Sequence, residues 1–179
     1  MTNRLSGILI LITFLATAFS AQADTFRSRV VTEIDIDKPI ADVFDYATTA
    51  GNWKHWHPNT FNARGATDHS ATENEEIIEI LKLGFVVGPR LYWTVAEHTV
   101  PNKWRLLGKD RAGLINVELT YTFSMNEDGS TRFRRKMILD IPKDLLRNPI
   151  NALVFIAYNR RTSAKALRQL KSVIEADPM

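Results

Sequence analysis

The stretch Val30-Val31-Thr32-Glu33-Ile34-Asp35-Ile36-Asp37, followed by Pro39-Ile40-Ala41-Asp42-Val43-Phe44-Asp45-Tyr46 and Asn52-Trp53-Lys54-His55-Trp56-His57-Pro58, changes its apolar period twice. Val30, Thr32, Ile34 and Ile36 alternate with Val31, Glu33, Asp35 and Asp37, which predicts a half-buried strand over 27–37. The period then becomes helical. Ile40, Val43, Phe44 and Ala47 form one stripe, with Asp37 placed to cap the helix and Pro39 in its first turn. Gly51 ends that helix, and 52–57 reads as a second short helix stopped by Pro58.

Strands follow in succession. They are expected at 60–67, at 75–87, at 90–98 after the break Gly88-Pro89, and at 103–109 after the turn Pro101-Asn102. The cleanest alternation is Ile115, Val117, Leu119, Tyr121 and Phe123 against Asn116, Glu118, Thr120, Thr122 and Ser124. A turn containing Asp128-Gly129 joins it to 131–141, where Phe133, Met137, Leu139 and Ile141 share a face. Pro142 and Pro149 bracket a connection to a long helix over 150–175. Its first half, Ile150 to Tyr158, is apolar almost all round; its second half is amphipathic, with Ala164, Leu167, Leu170 and Ile174 on one side.

One strand, two short helices, six more strands and a long final helix define an α+β chain. A curved antiparallel sheet gripping the helix satisfies that order. The order, with the quoted Val30–Asp37, Pro39–Tyr46 and Asn52–Pro58 segments, resembles the START-like SRPBCC superfamily, and within it the polyketide cyclase/dehydrase and lipid-transport group. The resemblance spans about 28–176 and rests on fold markers. It implies a helix-grip fold of about seven strands, with a cavity between sheet and C-terminal helix that holds hydrophobic molecules; a minority of such proteins are enzymes.

The N-terminus bears on location. Arg4, the apolar run Leu5–Leu15 and Ala21-Gln22-Ala23 have the three parts of a secretory signal peptide over 1–23, leaving 24–179 as one exported domain, expected in a bacterial periplasm. Such a location removes most nucleotide- and nucleic-acid-dependent functions. The run is short for a membrane span of ~20 residues. With no cysteine, the fold has no disulfide framework and rests on apolar packing, for which the chain carries nine Phe, four Tyr and four Trp. Charge is unevenly spread: residues 24–130 hold 11 Lys/Arg and 16 Asp/Glu, whereas 131–179 hold 11 and 4. The basic C-terminal part suits an anionic membrane or ligand, or else interleaves with acidic neighbours once strands pair.

Motifs for nucleophilic, phosphate-binding and dinucleotide chemistry are missing, so neither cofactor nor metal is expected. Of the histidines His55, His57, His69 and His98, the first two lie two apart and diverge on a helix. Strand parity marks the expected cavity wall: Trp93, Val95, Glu97, Trp104, Leu106, Val117, Leu119, Tyr121, Phe133, Arg135 and Met137, with Leu153 and Ala157 from the helix. Of Trp53, Trp56, Trp93 and Trp104, at least two are expected to be plain packing, and Trp93 and Trp104, which share their strands' inner parity, are the better cavity candidates. Two charges fall on the apolar side. Either Arg135 escapes by snorkelling or a bulge, or it anchors a ligand carboxylate or phosphate or pairs with Glu97. Arg160 falls near the helix stripe, but so does Lys171, which points to an offset face.

Three functions follow as expectations. The first is a carrier of a hydrophobic, lipid-like molecule. The second is a cyclase- or dehydratase-like enzyme with Glu97 as base and Arg135 stabilising an oxyanion. The third is an interaction module with a filled core. Ile150–Tyr158, flanked by Arg147, Arg160 and Arg161, also suits transient contact with an anionic membrane.

Overall fold

The computed structural model describes residues 24–146 and 148–176, so the expected leader (1–23) and Arg147 lie outside the described residues. Seven strands run as β1 Thr25–Ile36, β2 Thr60–Gly65, β3 Glu76–Leu83, β4 Val86–Thr99, β5 Lys103–Lys109, β6 Asn116–Met125 and β7 Thr131–Pro142. They form one antiparallel sheet in the order β1-β7-β6-β5-β4-β3-β2. Strands β1 and β2 are opposite edges, so the chain between them crosses the sheet's full width. It does so through α1 (Ile40–Thr48), a 3-10 turn at Ala50–Asn52 and α2 (Trp53–Trp56). The long helix α3 (Pro149–Ala176) packs on β1 and α2, completing a helix-grip fold.

Alternation decides which side of each strand is inside. Val30, Ile34 and Ile36 of β1, and Val117, Leu119, Tyr121 and Phe123 of β6, turn toward α3; the alternate residues of β1 meet solvent, whereas on β6 Glu118 and Thr122 are half-buried and Thr120 is buried. One end of the grip is filled. Phe123 and Phe133 stack with centroids 4.9 Å apart, Phe44 meets Phe123 at 5.1 Å, and Tyr121 meets Phe133 at 5.1 Å. Ala166, Leu167, Leu170 and Ile174 of α3 close this end. Each large side chain buried here contributes about 1.5–3 kcal/mol.

Four local expectations are corrected. Asp37 does not cap α1; Pro39 is the N-cap residue, and the Asp37 N–H donates to Glu175 Oε1 at 2.7 Å, tying the end of β1 to the end of α3. The hairpin between β3 and β4 turns at Gly84, whose φ of 62° suits glycine, and β4 runs on through Gly88-Pro89. Proline is tolerated there because the register shifts between Ile80 and Lys82, leaving Gly88-Pro89 outside the ladder. A second shift, between Val95 and Glu97, reverses the parity of β4 beyond Val95. Finally, the buried stripe of α3 passes through Ser163, Ala166, Leu167, Leu170 and Ile174, one position from the expected Ala164.

Trp93 packs tightly on the neighbouring strand. Its ring lies over Gly108, its cross-strand partner on β5, where a Cβ would come within 2.4–2.9 Å of three ring carbons. Gly108→Ala is therefore expected to displace Trp93 and destabilise the fold by about 2 kcal/mol. Urea unfolding followed by tryptophan fluorescence measures this; an unchanged midpoint and emission maximum would refute the close approach.

Candidate functional site: a buried polar cluster at the end of an apolar cavity

The other end of the grip is hollow. A cavity of about 210 Å3 lies between strands β3, β4, β6 and β7 and the first half of α3. An apolar cavity of ~150 Å3 already has room for benzene, so this one has room for a larger molecule. Its wall is mostly apolar: Trp53 and Trp56 from α2, Leu81, Leu91 and Trp93 from β3–β4, Ile115, Val117 and Leu119 at and within β6, Met137 and Leu139 from β7, and Phe155 and Tyr158 from α3. Tyr158 donates from its hydroxyl to Asn59 Oδ1 at 3.1 Å, so α3 is latched to the loop after α2.

Polar side chains interrupt that wall, among them a cluster of His57, Glu79, Tyr121, Arg135 and Ser163, with Asn59, Asn159 and Thr162 also on the lining. Arg135 is buried, and no carboxylate lies within salt-bridge distance of it among the described residues. Its Nη1 donates to Ser163 Oγ at 2.8 Å, and Ser163 is itself 2.9 Å from Thr32 Oγ1. Its Nη2 faces His57 Nε2 at 3.5 Å and Met137 Sδ at 3.7 Å, while Nε has no partner. A buried cation served only by neutral groups is costly. Trp56 Nε1, a second donor on the wall, is also buried and unpartnered. Arg135 and Trp56, both on the cavity lining, thus each carry a buried donor without a protein partner.

Glu79 balances the cluster. Alternation of Ile77, Glu79 and Leu81 turns it inward, where Trp93 Nε1 donates to Oε2 at 3.0 Å and the Thr60 hydroxyl donates to Oε1. Burial raises its pKa against the pull of those two hydrogen bonds and of Arg135. His57 Nδ1 lies 3.1 Å from Thr60 Oγ1 and 3.9 Å from Glu79 Oε1. Burial, helped by the Arg135 charge, depresses the His57 pKa to about 3, so the imidazole is neutral at physiological pH. Burial also pushes the Tyr121 hydroxyl up to about 12.

Trp93, Val117, Leu119, Tyr121, Arg135 and Met137 line the cavity, whereas Val95, Trp104, Leu106 and Phe133 are buried in the core behind it. Trp104 packs on Trp53 and Tyr121, with Nε1 donating to the Ala71 carbonyl at 2.8 Å. Glu97 is corrected. The β4 bulge turns it away from the cavity toward Lys103 at 2.9 Å and Arg105 at 3.7 Å, so it neither pairs with Arg135 nor acts as a base there. Leu153, Ala157 and Arg160 are exposed, because the α3 stripe continues backward through Asn159 and Phe155. Sequence reasoning missed Glu79 and the role of His57. The signal for Glu79 was a carboxylate at the parity of Ile77 and Leu81. His55 is exposed, His69 sits between Asp68 and Glu75, and His98 meets Ser70, so the four histidines are scattered.

Residues 27–175 match the family described as polyketide cyclase / dehydrase and lipid transport. The chain belongs to this family. A curated relative, "Penitrem biosynthesis cluster 1 protein I" of Penicillium ochrochloron, is 31% identical over 125 residues, 64% of this chain and 76% of the relative. Among solved structures, a START superfamily protein from Mycobacterium smegmatis superposes with a TM-score of 0.65 at 8% identity, covering 83% of this chain and 97% of that one. The di-domain ARO/CYC StfQ from the steffimycin biosynthetic pathway gives 0.66 at 11% identity, covering 84% of this chain and 51% of that one. A conserved protein from Geobacillus kaustophilus gives 0.65 at 12%, covering 83% and 96%. At these identities the structural likeness is one of fold.

The site has a pH signature. Unfolded His57 takes up a proton near pH 6.5, whereas folded His57 takes one up only near pH 3, so its burial removes stability as pH falls through that window. Glu79, whose folded pKa is raised, acts in the opposite direction: the stability it contributes is lost as pH rises through that pKa. His57→Gln should thus blunt the acid loss. Between pH 7 and 4.5 the wild type should lose on the order of 2 kcal/mol more than the variant in urea unfolding. Equal losses would contradict a buried neutral His57.

Proposed function

We propose that this protein is an exported carrier holding one hydrophobic, lipid-like molecule in the cavity under α3, with a carboxylate or carbonyl oxygen of that molecule on Arg135. The observation that carries the reading is the buried Arg135 guanidinium without a carboxylate partner on the wall of a mostly apolar chamber. An apolar body satisfies the wall, and one acceptor satisfies the donors. Membership of a family that includes lipid transport supports the reading. Export rests on the leader-like residues 1–23.

The test begins with protein purified from its host, extracted and analysed by mass spectrometry for a stoichiometric acidic or carbonyl lipid. A fluorescent fatty acid should bind the wild type and lose about tenfold or more in affinity in Arg135→Met, as expected for a charge-assisted hydrogen bond. No extracted ligand together with no probe uptake would overturn the proposal.

Cargo exchange at a membrane surface forms part of it. Large apolar side chains stand exposed around the chamber's open end: Phe85 and Val86 on the β3–β4 hairpin, Leu114 before Ile115, and Ile150, Leu153 and Val154 ahead of Phe155. Arg160 and Arg161 are exposed on the same helix. No helix among the described residues is long and apolar enough to cross a membrane, so contact is at the surface. Co-sedimentation should show binding to anionic but not zwitterionic vesicles, weakened by salt and abolished in Arg160→Glu/Arg161→Glu. Negligible binding in every condition would refute membrane exchange.

A further inference from the structure

Strand β1 is an edge strand without the usual protection of one. It is 12 residues long and pairs with β7 in an unbroken register, with no proline, bulge or lysine between Thr25 and Ile36. Natural sheets use short strands, bulges, lysines and prolines to keep an exposed edge from pairing with another chain. The opposite edge, β2, has two of these: it is 6 residues long and its register shifts between Thr60 and Asn62. One backbone bond fixes which groups of β1 are free. The Lys143 N–H donates to the Asp24 carbonyl at 3.0 Å, in line with the β1–β7 register, so the even-numbered residues of β1 bond to β7. The odd-numbered residues therefore aim N–H and C=O away from the sheet. Two contacts with α3 agree: Lys171 Nζ donates to the Asp35 carbonyl at 2.6 Å, and the Asp37 N–H donates to Glu175 Oε1 at 2.7 Å. These close the C-terminal end of the edge. Among the described residues, nothing bonds to the outward backbone groups of Arg29, Val31 and Glu33.

The side chains on this edge are complementary to themselves. Along the outer face the order is Arg27, Arg29, Val31, Glu33 and Asp35, all exposed, with cations before Val31 and anions after it at equal spacing. Arg27 and Asp35 are tied within the chain to Asp140 and Arg132. Arg29 and Glu33 make no hydrogen bond or ion pair within the chain among the described residues, so both charges are available. When β1 is laid antiparallel on a second copy with Val31 opposite Val31, each Arg29 meets the partner's Glu33. The backbone permits this register, because residues opposed across the free edge must both be odd-numbered to exchange N–H···O=C bonds. Sliding one copy by two residues sets a charge against Val31 instead, and a parallel arrangement in register sets Arg29 on Arg29 and Glu33 on Glu33, which is unfavourable.

We infer that this protein forms a twofold dimer in which the β1 edges of two copies pair antiparallel about Val31, joining their sheets into one. The contact is isologous: each copy offers the donors, acceptors and charges that the other needs. The axis runs perpendicular to the sheet, so the outer faces of both copies stay on one side, with the two Arg29–Glu33 pairs flanking the paired Val31 side chains. The shared ladder spans 29–33 and ends where Lys171 occupies the Asp35 carbonyl. Because the paired strands run in opposite directions, the two chambers open at opposite ends of the dimer.

Sedimentation velocity of the purified protein across micromolar concentrations should show a reversible monomer–dimer equilibrium, weakened by salt because its charge pairs are exposed. Residue-resolved hydrogen exchange should find the Arg29, Val31 and Glu33 amides protected in the dimer and unprotected in the dilute monomer. Arg29→Glu and Glu33→Arg should each raise the dissociation constant at least tenfold, and the two together should return it to within threefold of the wild type. Val31→Pro removes an N–H that β7 does not use, so it should abolish the dimer while the chain stays folded by circular dichroism. A wild type that is monomeric throughout would overturn the inference. So would a dimer that Arg29→Glu and Val31→Pro both leave intact, since another surface would then hold it. Should Val31→Pro unfold, the single charge reversals and their joint restoration decide the matter.

Discussion

Arg135 is a positive charge inside an apolar grip, and every group that touches it is neutral. Much of the site answers to that constraint. Ser163 interrupts the apolar stripe of α3 to give the guanidinium an acceptor, and Thr32 on β1 supports Ser163. His57 presents its lone pair to the same cation and is kept neutral partly by it. A buried charge with donors to spare is unfavourable in an isolated protein and favourable in one completed by a ligand oxygen.

The aromatic end of the grip makes this arrangement tolerable. Phe44, Phe123, Phe133 and the last turns of α3 form a packed block that carries the stability of the domain without disulfides. The walls of the hollow end come from rigid strands and from α2, which the edge-to-edge crossing of the chain places directly under the first half of α3. The same chain segment that closes the sheet therefore delivers Trp53, Trp56 and His57 to the chamber.

The fold was legible because β1, β6 and β7 alternate cleanly and α1 keeps a single stripe; parity alone turned Arg135 inward. The remainder failed for local reasons. Glu97 was lost to a bulge, which shifts parity without a sequence mark other than the residues it displaces. Glu79 was hidden because β3 is apolar on both faces, with Ile78 and Ile80 outside and Ile77 inside, so no polar face announced its orientation. Ile150–Tyr158 offers no polar side by which to phase α3; the polar Ser163, the true face marker, reads as an interruption. His57 sits at the end of a four-residue helix, where the spacing rule that separates it from His55 says nothing about Thr60 or Arg135.

The central claim is that a ligand oxygen completes the Arg135 site. A crystal structure of the protein with a bound hydrophobic ketone or fatty acid tests it most directly. The account predicts the carbonyl or carboxylate oxygen at about 3 Å from the Arg135 guanidinium, with the apolar body along Trp56, Leu119 and Phe155. A ligand lying in the opposite sense, its polar group at the open end and its apolar tail against Arg135, would contradict it.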